Sequence, residues 1–230
     1  MNIAIISSTL DPASVNIKKN LLNEFEFIKL ENKFENNDVY GYLINNKDIK
    51  LYTIDSKLIF ADDLDKKIDA NVFVFISKHV ASDGKPSLTI HPIGNFGKAE
   101  FGGKEKTLHF TNPSLLKNIF LEMYKNNNEK FETTVEATHH GPFLDKQALF
   151  VEIGSVEEYW QDKEAGKIIA NSIINGLMNE KEYESVFVVG GSHYNYVANK
   201  VMLKSDYSVG HICAKYNLKI LDKDLIKQSL

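Results

Sequence analysis

At 230 residues with 43% hydrophobic side chains and a formal net charge of −4, the chain has the length for one sizeable α/β domain and lacks the basic field of a general nucleic-acid binder. No apolar run approaches the roughly 18 to 20 residues that span a bilayer, and "MNIAIISSTLDPAS" carries neither the basic flank nor the apolar stretch of a signal peptide, so a cytoplasmic, non-membrane protein is expected. The single cysteine, Cys213, excludes an internal disulfide and a thiolate-rich zinc site, and the absence of arginine leaves phosphate contacts to lysine, hydroxyls and backbone N–H groups.

In chain order, "NIAIISS" reads as a buried strand, followed by Asp11-Pro12 and the helix-like "ASVNIKKNLLNEF". "DVYGYLI" and "IKLYTI" flank "NNKD" as a hairpin or a pair of adjacent strands, and residues 36 to 60 are candidates for a small lobe on an otherwise single domain, 1–230. "NVFVFISKH" is a near-continuous β-branched and aromatic run, the pattern of a central strand buried on both faces. "SLTIHPIGNFG" reads as a strand entering a loop, and "NPSLLKNIFLEMYKNN" as a helix opened by Asn-Pro. "FETTVEATHHG" and "QALFVEIGS" are two further strands. "VEEYWQDKEAGKIIANSIINGLMN" reads as one helix, with Ser155 as N-cap and Glu158 as its capping-box partner. "SVFVVGGSHY" and "SVGHICAKY" are strands, and "KDLIKQSL" a terminal helical turn or two. Alternating strands and helices predict a three-layer α/β protein, its sheet largely parallel or mixed, with helices on both faces.

Ligands in open α/β sheets bind beyond the carboxyl ends of strands. Those ends carry His79, His91, His139-His140, Glu152 and His193. A lone histidine at a strand end is ordinarily a hydrogen-bonded loop residue, and a Gly-Gly pair is ordinarily a turn. Five histidines gathered at one edge are a stronger signal than any one of them. Glu152 in an apolar strand adds to it, because a buried carboxylate needs a partner. Neighbouring strand residues point to opposite faces, so His139 and His140 share a crevice only if the strand ends first; Gly141-Pro142 predicts such an end near Thr138.

The segments "SKHVASDGKPSLTIHPIGNFG", "EATHHGP", "VEIGSVEEYW" and "GGSHY", in this order, resemble the archaeal-type D-aminoacyl-tRNA deacylases, also called D-tyrosyl-tRNA deacylases. The resemblance covers nearly the whole chain. It implies hydrolysis of the ester joining a D-amino acid to tRNA, zinc dependence, and a fold similar to peptidyl-tRNA hydrolases and nucleoside phosphorylases. One departure is that Ser192 stands where the family pattern has a third glycine, and Asn195-Tyr196 where it has Ala-Pro.

Chemistry then assigns expected roles. Zn²⁺, as one ion or two, would be held by His91, His139, Glu152 and His193, with His139, His140 and Glu136 as the catalytic acid–base pool. His79, Asn95, Phe96, Gly97, Lys98, Lys104, Gly190 and Gly191 are expected to bind the tRNA end and its adenosine. In that set Phe96 stacks on the base, the glycine-rich loops offer N–H groups, and the lysines meet the acceptor stem. The partner is D-aminoacyl-tRNA, met by a monomer. Two rivals remain at this stage: a metal-independent esterase using Asn95 and a histidine, and a nucleoside-binding or phosphorylase-like protein without esterase activity.

Overall fold

The computed structural model describes residues 1–82, 84–127 and 129–230. The first apolar run forms β1 (Asn2–Ser8), and the Asp11 side chain accepts from Ser14 N to cap α1 (Pro12–Glu24), with proline in the first turn where its missing N–H costs nothing. β2 (Ile28–Phe34), β3 (Asn37–Ile44) and β4 (Lys47–Ile54) follow as an antiparallel meander. Its two tight turns place Glu35, Asn36, Asn45 and Asn46 at positive φ. β2 was not expected: "IKLENKF" has the mostly polar make-up of an exposed edge strand rather than a core one.

β5 (Val72–Lys78) is the anticipated central strand, lying between β1 and a later strand and buried from Val72 to Ser77. After β6 (Ser87–Pro92) comes a small pair, β7 (Gly94–Asn95) with β8 (Thr107–Leu108), and then α2 (Pro113–Asn126), capped by the Asn112 side chain. β9 (Glu132–Val135) and β10 (Gln147–Gly154) complete the main sheet. The long helical pattern beyond them is two helices, α3 (Glu157–Trp160) and α4 (Lys163–Met178). Asp162 caps α4 by accepting from Glu164 N and Ala165 N, whereas Ser155 Oγ donates to the Lys85 carbonyl, so the expected Ser155–Glu158 capping box is corrected. β11 (Glu184–Val189), α5 (Tyr196–Lys204) and β12 (Tyr207–Cys213) build a separate parallel pair with its crossover helix, and α6 (Lys223–Gln228) closes the chain.

The main sheet has the order β2-β3-β4-β1-β5-β10-β6-β9. β4, β1, β5 and β10 run parallel, while β6 is antiparallel to β10 and β9 is parallel to β6. The sheet is therefore mixed, and it reverses direction between β10 and β6. Strand alternation sends Ile3, Ile5, Val72, Val74, Leu149 and Val151 to the face covered by α1, α2 and α4. Ala4, Ile6, Phe73, Phe75, Ala148 and Phe150 line the opposite face, beneath the 3₁₀ helices Leu58–Phe60 and Leu64–Lys66. Phe75 and Phe150 stack there at 4.8 Å between centroids, and truncating either to alanine would cost about 3–5 kcal/mol. By alternation this second face continues beyond Phe75 and Phe150 as Ser77, His79, Glu152, Thr89 and His91. The core turns polar where the sheet changes direction.

Candidate active site

Five strands and loops deliver side chains to this polar region. Glu152, buried on β10, accepts from Ser77 Oγ on β5; its Oε2 lies 3.6 Å from His79 Nδ1 and 3.7 Å from His91 Nε2. His91 reaches the site by register and not as a terminal residue. It lies within β6 opposite Phe150, and the antiparallel pairing of β6 with β10 points both to one face. Trp160 Nε1 donates to the His79 carbonyl at 3.0 Å, which explains what the short α3 contributes: it fastens the end of β5.

Glu136 is a second fully buried carboxylate, just past β9. Its Oε2 is 2.9 Å from His193 Nε2 and 3.6 Å from His139 Nε2, and its Oε1 is 3.1 Å from His79 Nδ1. His193 Nδ1 lies 3.0 Å from the Tyr216 hydroxyl. Burial pushes the carboxyl of Glu136 up, but His193, followed by His79, outweighs it and leaves the group below its ordinary value. Glu152 shows the same balance more strongly: burial opposes ionisation, and His79 and His91 hold it well below the usual range.

β9 stops at Val135, earlier than the expected Thr138, and the chain then runs irregularly through His139 and His140, with His140 at φ 44°. Alternation no longer separates the pair. Their rings lie 4.3 Å apart, and 4.1 and 4.9 Å from the ring of His91. Gly94 N donates to the His140 carbonyl at 3.0 Å, and a β-carbon on Gly141 would overlap the backbone of Gly102, Gly103 and Ile59. The turn is thus locked against the 101–103 loop.

The ring nitrogens of these three histidines follow one pattern. Nδ1 of His91 lies 3.1 Å from the Pro92 carbonyl, Nδ1 of His139 2.7 Å from that of Ala137, and Nδ1 of His140 2.6 Å from that of Gly141. A carbonyl only accepts, so each Nδ1 carries the proton and each Nε2 of a neutral ring is a lone pair. Burial, reinforced by the neighbouring histidines, lowers His139 well below the ordinary value, and burial with His91 lowers His140 to about 4. Burial also opposes charging His91, but Glu152 and Glu136 outweigh it and raise that group. Nε2 of His91 has no hydrogen-bond partner among the described residues. Three imidazole nitrogens facing one another beside a carboxylate, each oriented by a backbone carbonyl, form a donor set suited to a cation. His91, His139 and His140 lie in ligand-like proximity, as do His79, Glu136 and His193, and also His91, Glu136 and Glu152.

A cavity of about 530 Å³ opens over this cluster. His79, His139, His140, His193 and Glu152 line it, together with residues the sequence did not single out: Asp11, Lys57, Ser77, Lys78 and Phe101. Burial raises the Asp11 carboxyl above its ordinary value despite hydrogen bonds from Ser14 N and Lys78 N. No local sequence signal marks Lys57, Phe101 or Tyr216, because the tertiary fold alone brings them to the site.

The expected adenosine-binding set is brought together only in part. Phe96 is 2% exposed and packs with Leu108, Cys213 and Leu225, so its ring is a core element and not a stacking platform. Asn95 is buried, and its Nδ2 donates to the carbonyls of Gly102 and Lys104, fixing that loop. Gly97 is half-buried against Ile220. Gly190 and Gly191 take positive φ and are joined to Asn195, which caps α5: its Nδ2 donates to the Gly190 carbonyl and its Oδ1 accepts from Ala198 N. Lys98 and Lys104 are exposed, Lys104 with its ammonium 3.4 Å from the Phe143 ring centroid, while Lys106 pairs with Asp222.

Fold and site together define a mixed-sheet α/β protein with a buried histidine–carboxylate pocket. A family model described as D-aminoacyl-tRNA deacylase matches residues 66–230. The D-aminoacyl-tRNA deacylase of Pyrococcus furiosus is 37% identical over 98% of this chain and 84% of its own length, and that of Archaeoglobus fulgidus 36% identical over 98% and 82%. The chain belongs to the D-aminoacyl-tRNA deacylase family, whose name describes hydrolases acting on an ester bond. A crystal structure of a conserved protein of unknown function superposes with a TM-score of 0.89 at 34% identity, covering 100% of this chain and 82% of the other. A 5′-methylthioadenosine/S-adenosyl homocysteine nucleosidase from Campylobacter jejuni shares the fold alone, with a TM-score of 0.52 at 16% identity over 77% of this chain and 98% of its own. Among the described residues no helix is long and apolar enough to cross a membrane.

Proposed function

We propose that this protein hydrolyses the ester of D-aminoacyl-tRNA, D-tyrosyl-tRNA among its substrates, and releases free D-amino acid and tRNA. The observation that carries the chemistry is the Nδ1-to-carbonyl pattern of His91, His139 and His140, which leaves Nε2 of each neutral ring as a lone pair in a trio whose candidate ligand nitrogens lie within 4.8 Å of one another, with Glu152 3.7 Å from Nε2 of His91. These three histidines would hold a zinc ion, with Glu152 as a fourth donor or as the partner that steadies His91. Zinc supplies Lewis-acid polarisation of an ester carbonyl and a bound water of lowered pKa.

The chain's own residues do the rest. Glu136 is ionised and lies beside the histidine cluster; its Oε2 accepts the proton of the attacking water and becomes neutral, and His193, at 2.9 Å and steadied by the Tyr216 hydroxyl, relays that proton to the departing ribose oxygen as the acyl–oxygen bond breaks. His79, held by Trp160 and facing both carboxylates, keeps them oriented and paired. This distribution moves His140 from the base role to the ligand set and gives His193 an acid–base role in place of its expected ligand role.

The test compares hydrolysis of D-tyrosyl-tRNA and L-tyrosyl-tRNA by the purified protein, before and after chelation and after zinc is returned. D-form hydrolysis far above the L-form, lost on chelation and restored by zinc, is the expected outcome. Equal rates on both would reduce the protein to a general esterase, and indifference to chelation would remove the metal from the scheme.

A further inference from the structure

The cavity mouth carries an aromatic ring that the hydrolytic chemistry does not use. Phe101 is 63% exposed, yet it lines the same cavity as His139 and His140. Its position is fixed through its backbone. The Phe101 carbonyl accepts from Gly141 N at 3.0 Å, directly beside the histidine turn. Gly102 and Gly103 follow at φ +80° and +78°; a β-carbon on Gly102 would overlap the Ile59 carbonyl, and one on Gly103 would come within 3.1 Å of Gly141 Cα. Asn95 ties the same loop from below through the carbonyls of Gly102 and Lys104. An exposed ring on a backbone-locked loop at the cavity mouth is a flat apolar surface that a planar partner can cover. Lys57 lines the same cavity and supplies the positive charge that a phosphate next to the stacked group would need, while the ammonium of Lys78 lies over the Trp160 ring at 4.7 Å. Leu10 and Val80, 59% and 66% exposed, extend the apolar rim.

We infer that Phe101 is the stacking platform for the 3′-terminal adenine of the substrate, with Lys57 meeting the adjoining phosphate, so that the ester is laid over the histidine cluster. The inference rests on the deacylase reading and assigns the nucleotide half of its substrate. A base fits better than an amino-acid side chain because the ring lies at the open mouth, in a cavity that Lys57 also lines. Stacking on one aromatic ring tolerates any flat partner, and its removal weakens binding by roughly 5- to 150-fold.

The experiment measures affinity of the full-length protein for a labelled, deacylated RNA oligonucleotide ending in C-C-A, by fluorescence anisotropy, for the parent, Phe101→Ala, Phe101→Leu and Phe101→Trp. Expected are a loss of roughly 5- to 150-fold for Ala, a similar loss for Leu, which keeps apolar bulk but no ring, and recovery for Trp. With D-tyrosyl-tRNA the Ala variant raises KM and leaves kcat within a few-fold. Unchanged affinity in the Ala variant overturns the assignment. So does an equal loss for an oligonucleotide lacking the terminal adenosine, or a KM effect that appears with D-tyrosyl-tRNA and vanishes with D-alanyl-tRNA. A parent protein that hydrolyses no D-aminoacyl-tRNA but binds the oligonucleotide in a Phe101-dependent way would overturn the deacylase reading alone. Full hydrolysis with Phe101-independent affinity and KM would overturn the Phe101 assignment alone.

Discussion

Two groups of histidines within this one chain are treated in opposite ways. His109 and His211, both buried, use both ring nitrogens on the protein itself. His109 Nδ1 donates to the Phe110 carbonyl and its Nε2 accepts from Leu144 N, while His211 Nε2 donates to the His109 carbonyl and its Nδ1 accepts from Thr138 Oγ1. His91, His139 and His140 also use Nδ1 on a backbone carbonyl, but the three lie in ligand-like proximity, with Nε2 of His91 3.7 Å from Glu152 Oε2 and Nε2 of His139 3.6 Å from Glu136 Oε2. All five are buried or half-buried. What separates the two groups is the second nitrogen, and that is a property of the fold and not of the residue type.

The comparison can be broken most decisively at the pair. His139→Ala and His140→Ala should each lower single-turnover hydrolysis at least about 100-fold and reduce bound zinc, with the unfolding midpoint of the metal-free protein little changed. A variant retaining parental activity would place that histidine with the structural group. Next in size is pH. Burial sets the pKa of His211 at about 4 in the folded chain against an ordinary 6.5, so between those values the unfolded chain binds the additional proton. The stability owed to neutral His211 is therefore complete above about pH 6.5 and falls as pH drops toward about 4, by up to about 3 kcal/mol. Denaturant titrations across that window should show the loss, and His211→Gln should flatten the slope. At neutral pH, His211→Ala should destabilise the fold by about 1–3 kcal/mol through the unpaired His109 carbonyl and Thr138 hydroxyl, with activity per folded molecule retained. A large loss of activity with zinc still bound would show that the two groups are coupled.

The smallest expected effect concerns the surface. Lys104→Glu should weaken tRNA binding and make its salt dependence shallower, because a lost phosphate contact releases about one counterion fewer. An unchanged salt slope would return Lys104 to a solvated role over the Phe143 ring.

Much of this arrangement could be read from the sequence, for identifiable reasons. Continuous apolar runs mark β1, β5 and β10, whose ends do carry Ser8, His79 and Glu152 to the cavity. The strand-end rule also collected His91, but for a reason that does not hold: β6 runs against β10, and His91 arrives by register opposite Phe150. Direction of a short buried strand leaves no trace in its residues. Glu136 becomes a hub because His79, His139 and His193 converge on it from three segments, and no spacing encodes that. Phe96 and Phe101 lie five positions apart in the same glycine-rich region, and nothing local tells which one enters the core. The break between α3 and α4 was missed because helical periodicity runs through Trp160, whose indole instead bonds back to β5.

The seam between Gly102, Gly141 and the Ile59 carbonyl leaves no room for a single methyl group, and Gly103 is kept by its positive φ. Mutational change in this loop is therefore confined to outward side chains such as Phe101 and Lys104, while the backbone that carries the histidine pair is barred from drifting. The loop is a fixed hinge plate with interchangeable fittings. Side chains at its surface can change, by laboratory selection or by descent, without moving the backbone of the histidine pair, which ends one peptide bond away from Gly141.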